Sequence, residues 1–409
     1  MRIGIDYTSA VRQRAGIGRY TRELVTALLQ LANPHHYVIF AATGGLPKSH
    51  WQGEIECLRA VSSGLPAAAA AAAPSRLSGA VPVLTTGSQL TFRDVPLSDD
   101  WLARLWHRLR LPVPAETITG ALDVLYSPDF VLPPTRPACR TLLTVHDLSF
   151  MHHPDAFVLP LRRYLERIVP RSIERADLVL ADSEHTRSDL IRLFAVPRDR
   201  VRVIYPGIDT CFQPNPEPGE SARLRERYAI DDRPYILSVG TLQPRKNYVR
   251  LIQAFVRSRA SRESDTQLLI AGGRGWLYDD ILAEAEKHDT VRPLGFVEDR
   301  DLPALYRGAA LLAFPSLYEG FGLPVLEAMG CGVPVVCSNT SSLPEVAGDA
   351  ALLVDPLDVE ALGQALTRAL EDHELRRAMV ERGLSQAARY DWARSADQLL
   401  GVIESLREA

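Results

Sequence analysis

What the sequence lacks narrows it first. Its five cysteines (Cys57, Cys139, Cys211, Cys331 and Cys337) form no Cys-x-x-Cys pair and are odd in number. Neither a zinc knuckle nor a disulfide framework is expected, and the thiols should be reduced and buried. No apolar run approaches the length that spans a bilayer, and Met1-Arg-Ile-Gly-Ile-Asp6 enters a strand directly, without a signal-peptide pattern. A cytoplasmic enzyme is the expectation. A net charge of −4 with dispersed Lys and Arg leaves no electrostatic footprint for nucleic acid. Gly16-Ile-Gly18 opens a helix after the first strand, but a dinucleotide fingerprint needs a third glycine where Thr21 stands, so hydride chemistry on NAD is disfavoured.

What is present reads as globular α/β. Hydrophobic residues make up 46% and charged residues 23% of a 409-residue chain, which is too long for one ordinary core. Strand-like runs at Ile3–Asp6, Tyr37–Ala41, Val124–Ser127, Thr141–Val145, Leu178–Ala181 and Val201–Ile204 alternate with helical stretches such as Gly18–Ala32, Leu159–Arg175 and Arg187–Phe194. Gln213-Pro-Asn-Pro-Glu-Pro-Gly219 then interrupts the rhythm and marks the expected interdomain linker. The alternation restarts with Tyr235–Val239, Gln267–Ala271, Val291–Leu294, Leu311–Phe314 and Val333–Cys337. Two doubly wound parallel sheets follow, spanning 1–212 and 213–389, with ligands expected beyond the carboxyl ends of the strands.

Two stretches stand outside this rhythm. Pro66, seven alanines and Pro74 lead into polar, turn-rich sequence through about Asp100, which reads as a flexible or weakly helical insertion. Asp100–Arg110 then places Trp101, Leu102, Leu105, Trp106 and Leu109 on one helical stripe, with Arg104 and Arg108 on another face and Asp99 or Asp100 as the cap. Such a helix can dock on its own sheet or rest on a membrane or anionic acceptor.

The chemistry concentrates in the second half. Ala309–Ser316 is a buried-strand pattern, and Glu319-Gly-Phe-Gly-Leu-Pro-Val-Leu-Glu327 follows it. Gly320 and Gly322 permit close backbone approach, Pro324 suits a first helical turn, and the unpaired amides at Leu323 and beyond favour a phosphate. Glu327 falls about one turn into that helix, where an ionised carboxylate can accept two hydroxyls of a ribose; Glu319 can do the same for a sugar ring. The plainer reading leaves Glu327 to complement the helix dipole and Glu319 to a surface loop. Arg245 and Lys246 follow the strand Tyr235–Val239 and present two cations where a sheet ends, as a departing diphosphate requires. His146 ends the strand Thr141–Val145, with Asp147 next to it.

Taken together, Glu319–Glu327, Val239-Gly-Thr-Leu-Gln-Pro-Arg-Lys-Asn247, Leu294-Gly-Phe-Val297, His146-Asp147 and Tyr205-Pro-Gly-Ile-Asp209 resemble glycosyltransferase family four, retaining enzymes of the GT-B fold, in order and over nearly the whole chain. The resemblance implies two Rossmann-like domains facing across a cleft. It puts His146 near the anomeric centre and the Gly16–Gly18 loop towards donor phosphates and acceptor. It puts Val297 at the base, and Phe321 and Leu323 in the donor grip with Gly320, Gly322 and Glu327. Thr241 stands where many members carry Arg, so Lys246 is the firm cation and Arg245 its stand-in. No Asp-x-Asp string lies where a metal would bridge the diphosphate, so neither metal nor cofactor is expected beyond the nucleotide sugar. The motifs look most like bacterial mannosyl- and rhamnosyl-type members building surface polysaccharide, with GDP-mannose as donor and a glycan or lipid-linked acceptor, at the cytoplasmic side with possible peripheral membrane contact. A nucleotide-sugar epimerase, a phosphorylase and a non-catalytic sugar-nucleotide binding protein are the alternatives. The stripe Trp392, Ala396, Leu399, Leu400, Ile403 and Leu406 within 390–409 is expected to pack back on the N-terminal domain and tie the halves at a hinge.

Overall fold

A computed structural model describes residues 1–13, 16–62, 89–109, 111–258 and 265–408. The chain divides into two units: Met1–Asp147 with Tyr164–Gly207 and Asp391–Ala409, and Leu148–Arg163 with Ile208–Tyr390.

The first unit is built on a seven-stranded sheet: β1 (Arg2–Asp6), β2 (His36–Ala42), β3 (Gln89–Val95), β4 (Val124–Ser127), β5 (Arg140–Val145), β6 (Leu178–Ala181) and β7 (Val201–Val203). All neighbours are parallel, in the order β3-β2-β1-β4-β5-β6-β7, so the winding reverses between β1 and β4. Parallel strands covered on both faces must be apolar throughout, and Ile3, Ile5, Tyr37, Ile39, Leu142 and Leu180 are almost wholly inaccessible. The helix Trp392–Glu408 completes this core: Trp392, Ala396, Leu399, Ile403 and Leu406 are buried against residues such as Leu24 and Leu28 of the helix Ile17–Gln30. His35 Nε2 lies 2.8 Å from Glu404, and Ser395 Oγ donates to the Tyr205 carbonyl at 2.6 Å. Gly207 is required here, because a Cβ would meet the Trp392 nitrogen at 2.2 Å.

The second unit carries six parallel strands, β8 (Tyr235–Val239), β9 (Gln267–Ala271), β10 (Val291–Gly295), β11 (Leu311–Phe314), β12 (Val335–Ser338) and β13 (Ala351–Val354), ordered β10-β9-β8-β11-β12-β13. Its winding reverses between β8 and β11. The division between units differs from the one expected at 212/213. Ile208 and Phe212 pack on Gly330, and Phe212 lies edge-on to Tyr306 at 5.8 Å, so both belong with the second sheet. The proline-rich 213–219 is exposed but internal to this unit, ending at Gly219 (φ 74) before the helix Glu220–Tyr228. Residues 148–163 also join the second unit. Trp276 Nε1 donates to the Ala156 carbonyl at 2.7 Å, Phe157 lies 5.6 Å from the Trp276 ring, and His152 stacks on Tyr318.

Two local expectations change. Within the stretch read as a flexible insertion, residues 66–88 lie outside the described residues, but Gln89–Val95 forms β3, paired with β2 from His36↔Gln89 to Ala42↔Val95. It is an edge strand with one polar face, and Phe92 turns inward to Trp51 at 5.7 Å. The single stripe expected over 100–110 is broken. An α-turn, Asp99–Ala103, capped by Ser98 rather than by Asp99 or Asp100, gives way to a π-turn at Arg104–Arg108. The wider turn keeps Leu102 and Trp106 inside and leaves Trp101 52% and Leu109 63% exposed. Trp106 Nε1 is satisfied by the Val113 carbonyl at 2.9 Å.

Candidate functional site

In doubly wound sheets ligands gather where the winding reverses, at the carboxyl ends of the two diverging strands. In the second unit those strands are β8 and β11. The loop after β8 starts at Gly240, whose φ of 149 favours glycine and where a virtual Cβ would come within 3.0 Å of the Lys246 side chain. Its carbonyl accepts the Tyr248 hydroxyl at 2.7 Å. Asn247, left-handed at φ 62, starts the helix Tyr248–Arg257, and its amide donates to the carbonyls of Pro315 (3.0 Å) and Pro356 (2.7 Å). Leu317 N–H donates to the Arg245 carbonyl at 2.9 Å, and the Arg245 guanidinium donates to the Tyr318 carbonyl. These bonds lock the β8 and β11 loops together.

The lock brings three predicted residues into one cluster. Glu319 is paired with Lys246 Nζ at 2.6 Å and Arg245 Nη1 at 2.9 Å, all three side chains being largely buried. Lys246 also sits over the Phe314 ring at 4.8 Å. Burial pushes the Glu319 carboxyl up, but the Arg245 and Lys246 cations outweigh it and hold the group at about 2. Two cations thus share the one carboxylate they hold. The backbone of Glu319 is equally fixed: its N–H donates to Ser341 Oγ at 2.9 Å, and Ser342 Oγ lies 3.0 Å from its carbonyl and 2.7 Å from that of Phe321. Gly322 has φ 115, and a Cβ there would meet Leu343 at 2.7 Å, so the turn before the helix Leu323–Gly330 accepts only glycine.

Glu327 lies one turn into that helix. It is 3% exposed and accepts the Tyr306 hydroxyl at 2.7 Å, so it is an internal carboxylate rather than a surface one. Phe321 is buried edge-on to Tyr390 at 5.5 Å. Val297 is buried as well; in the turn after β10, with Gly295 at φ 73, the exposed side chain is Phe296.

The first unit presents a different arrangement at its own reversal. Gly16 is left-handed (φ 57) and opens the helix Ile17–Gln30. Gly18 leaves no room for a side chain, with a virtual Cβ 2.0 Å from the Gln13 carbonyl. Thr21 is fully buried, bonded to the Ile17 carbonyl and Ser9 Oγ, both at 2.9 Å. His146, at the end of β5, has Nδ1 2.7 Å from Asp182 and Nε2 2.9 Å from the Pro128 carbonyl. Both partners are acceptors, so both nitrogens carry protons and the ring is an imidazolium. Burial pulls its pKa down, but Asp182, Asp129 and the Pro128 carbonyl outweigh this and push it up to about 9. Tyr20 (4.8 Å) and Phe130 (5.4 Å) close on the ring edge-to-face. Sequence reasoning missed the carboxylates here. Asp182 follows β6, Asp129 follows β4, and Asp6 ends β1 and is pushed up to about 6 by burial. Their shared position just beyond strand ends was the available signal.

Among the described residues no group of three or more His, Cys, Asp or Glu side chains is arranged to hold a metal ion, and no helix is long and apolar enough to cross a membrane.

Comparison with known proteins agrees with this architecture. Residues 14–212 match the family described as Glycosyltransferase Family 4, and residues 220–386 match Glycosyl transferases group 1. The chain is 38% identical over 287 residues to O-antigen chain mannosyltransferase B of Escherichia coli, covering 69% of this chain and 74% of that one. It is 32% identical over 266 residues to the serotype-specific mannosyltransferase WbdA of Escherichia coli, covering 63% of this chain but only 32% of that longer protein. Among solved structures, sucrose-phosphate synthase from Thermosynechococcus elongatus superposes with a TM-score of 0.70 at 21% identity, over 99% of each chain. Two parallel, doubly wound sheets, family matches over both halves and that degree of identity lead to one assignment: the chain belongs to glycosyltransferase family 4 and is a glycosyltransferase with two Rossmann-like domains of the GT-B class.

Proposed function

We propose that this enzyme transfers mannose from GDP-mannose, with retention of anomeric configuration and without a metal ion, to a glycan or lipid-linked acceptor in surface polysaccharide synthesis. The observation that carries the reading is the Arg245–Lys246–Glu319 cluster at the β8/β11 reversal. The names of the mannosyltransferase relatives support the choice of sugar and pathway class. In the reaction the bond from the anomeric carbon to the phosphate oxygen breaks, the acceptor oxygen bonds to that carbon from the same face, and the acceptor proton passes to the departing phosphate. Arg245 and Lys246, already fixed by Glu319, meet the charge that grows on the diphosphate without having to reorganise. Glu319 directs the sugar hydroxyls with whatever acceptor capacity its ion pairs leave. Glu327 serves the ribose, and Gly320, Gly322 and the amides from Leu323 onward serve the phosphates. Gly16 lets the backbone approach the substrates, and Gly18 lets the helix start pack against the Gln13 carbonyl beside it. His146, with both N–H groups committed inside its own domain, acts through the Pro128–Phe130 turn and through its fixed charge.

Peripheral membrane contact is part of the proposal. Leu97, Trp101, Leu109, Leu111 and Val113 are exposed within one short stretch, and the exposed Arg104 lies 5.0 Å over the Trp101 ring. Co-sedimentation with anionic vesicles tests it; no binding would confine the enzyme to solution.

The main test is a screen of sugar nucleotides with and without glycan acceptors, reading released nucleotide by chromatography and the new anomeric configuration by NMR. GDP release from GDP-mannose that depends on acceptor, survives EDTA and gives an α-linked product is the expected outcome. Conversion of donor alone, or an inverted product, would overturn the reading.

A further inference from the structure

Residues 148–163 belong in sequence to the first half but fold with the second unit, and they cover the back of the cation cluster. The His152 ring stacks on the Tyr318 ring at 4.9 Å and 20°, and His153 meets the same ring edge-on at 6.2 Å. Tyr318 is 4% exposed, and its peptide is the one that Arg245 holds. Leu317, one residue earlier, is bonded to the Arg245 carbonyl, and Glu319, one residue later, takes both cations. Leu317–Glu319 is therefore gripped by Arg245 on one side and pressed by the two histidines on the other. Burial first, then the charges of His152 and Arg245, hold His153 below its ordinary value.

We infer that His152 is a positioning residue for the phosphate-binding cations, acting through its flat stack on Tyr318 to fix the peptide on which Arg245 is anchored. The inference rests on the reading of Arg245 and Lys246 as the diphosphate site. Aromaticity is what the position requires, since a stack needs a planar ring and not a proton. His152→Phe should therefore keep the function and His152→Ala should lose it. A misplaced Arg245 weakens contacts to phosphate but not to the base or ribose, which separates positioning from general loosening of the fold.

The experiment measures GDP binding by calorimetry and guanosine binding by NMR titration, on the full chain, for wild type, His152→Ala, His152→Phe and Lys246→Ala, with melting temperatures for each. The expected result is that His152→Ala weakens GDP about fivefold to tenfold, the scale of one loosened charge-assisted hydrogen bond, while guanosine is unaffected and His152→Phe restores GDP binding. If Lys246→Ala weakens GDP selectively but His152→Ala does not, or if His152→Ala weakens both ligands alike, the inference fails and the diphosphate site stands. If Lys246→Ala itself fails to discriminate GDP from guanosine, the reading of the site falls, and the inference with it.

Discussion

The two sheets reverse their winding in the same way but solve opposite electrostatic problems there. At the β1/β4 side of the first unit a buried cation, His146, is held by carboxylates and a carbonyl; at β8/β11 of the second a buried carboxylate, Glu319, is held by two cations. Either charge alone would cost several kcal/mol to bury, so each fold supplies the counter-charge from a neighbouring strand end. The surplus differs in sign. The second unit sets two cations against one carboxylate just before Gly322 and the helix Leu323–Gly330, whereas the first sets Asp129 and Asp182 around one imidazolium. Shared topology therefore fixes where a site forms and leaves its polarity to a few side chains.

The hardest blow to this comparison is removal of residues 391–409. Trp392, Ala396, Leu399, Ile403 and Leu406 are buried in the first core, and at about 1.5–3 kcal/mol for each large side chain their loss is comparable with the whole stability of a domain. Hydrogen exchange should show the first unit opened and the second still protected. Equal protection in both would make the helix an appendage.

Glu319→Ala comes next, because it strands Arg245 and Lys246 without a counter-charge. A loss of about 3–5 kcal/mol in denaturant melts is expected, with turnover abolished. Lys246→Ala should lose far less stability, since Arg245 still partners Glu319, yet lose turnover by about a hundredfold or more as transition-state charge goes unmet. If the two variants melt alike, the cluster is not organised around Glu319.

Titration sharpens the contrast further. His146 is raised when folded, so its contribution is complete below about 6.5 and is lost as pH rises through about 9. Glu319 is depressed, so its contribution is present above about 4.5 and disappears as pH falls through about 2. Alkali should loosen the first unit and acid the second, a few kcal/mol each way, as read by pH-dependent hydrogen exchange. Loosening of the same unit at both extremes would dissolve the contrast. The smallest effect is expected from Tyr306→Phe, which removes one bond to Glu327: about 1 kcal/mol in melts, and a modest loss of GDP affinity if Glu327 meets the ribose.

Much of this was legible in the sequence because it is local. The apolar runs of β1, β4, β8 and β11, the Gly-Phe-Gly turn and the Arg245-Lys246 pair all declare themselves within a few residues. The Glu319 ion pairs did not, since they depend on β8 and β11 being adjacent although β9 and β10 lie between them in sequence. Edge strand β3 was hidden by its polar face, and the π-turn at Arg104–Arg108 by a stripe that fits a regular helix equally well. The capture of 148–163 by the second unit rests on Tyr318 and Trp276, far along the chain, and no periodicity reports such a partner.

The terminal helix also has a consequence for synthesis. Chains emerge at roughly 5–20 residues per second, so the residues of the second unit, Ile208–Tyr390, occupy the ribosome for about ten to forty seconds after the first sheet is complete. Throughout that interval the surface of helix Ile17–Gln30 that will receive Trp392 and Leu399 has no cover of its own. Nascent protein should accordingly depend on a chaperone, and a translational pause before Asp391 should raise aggregation more than one placed before Ile208.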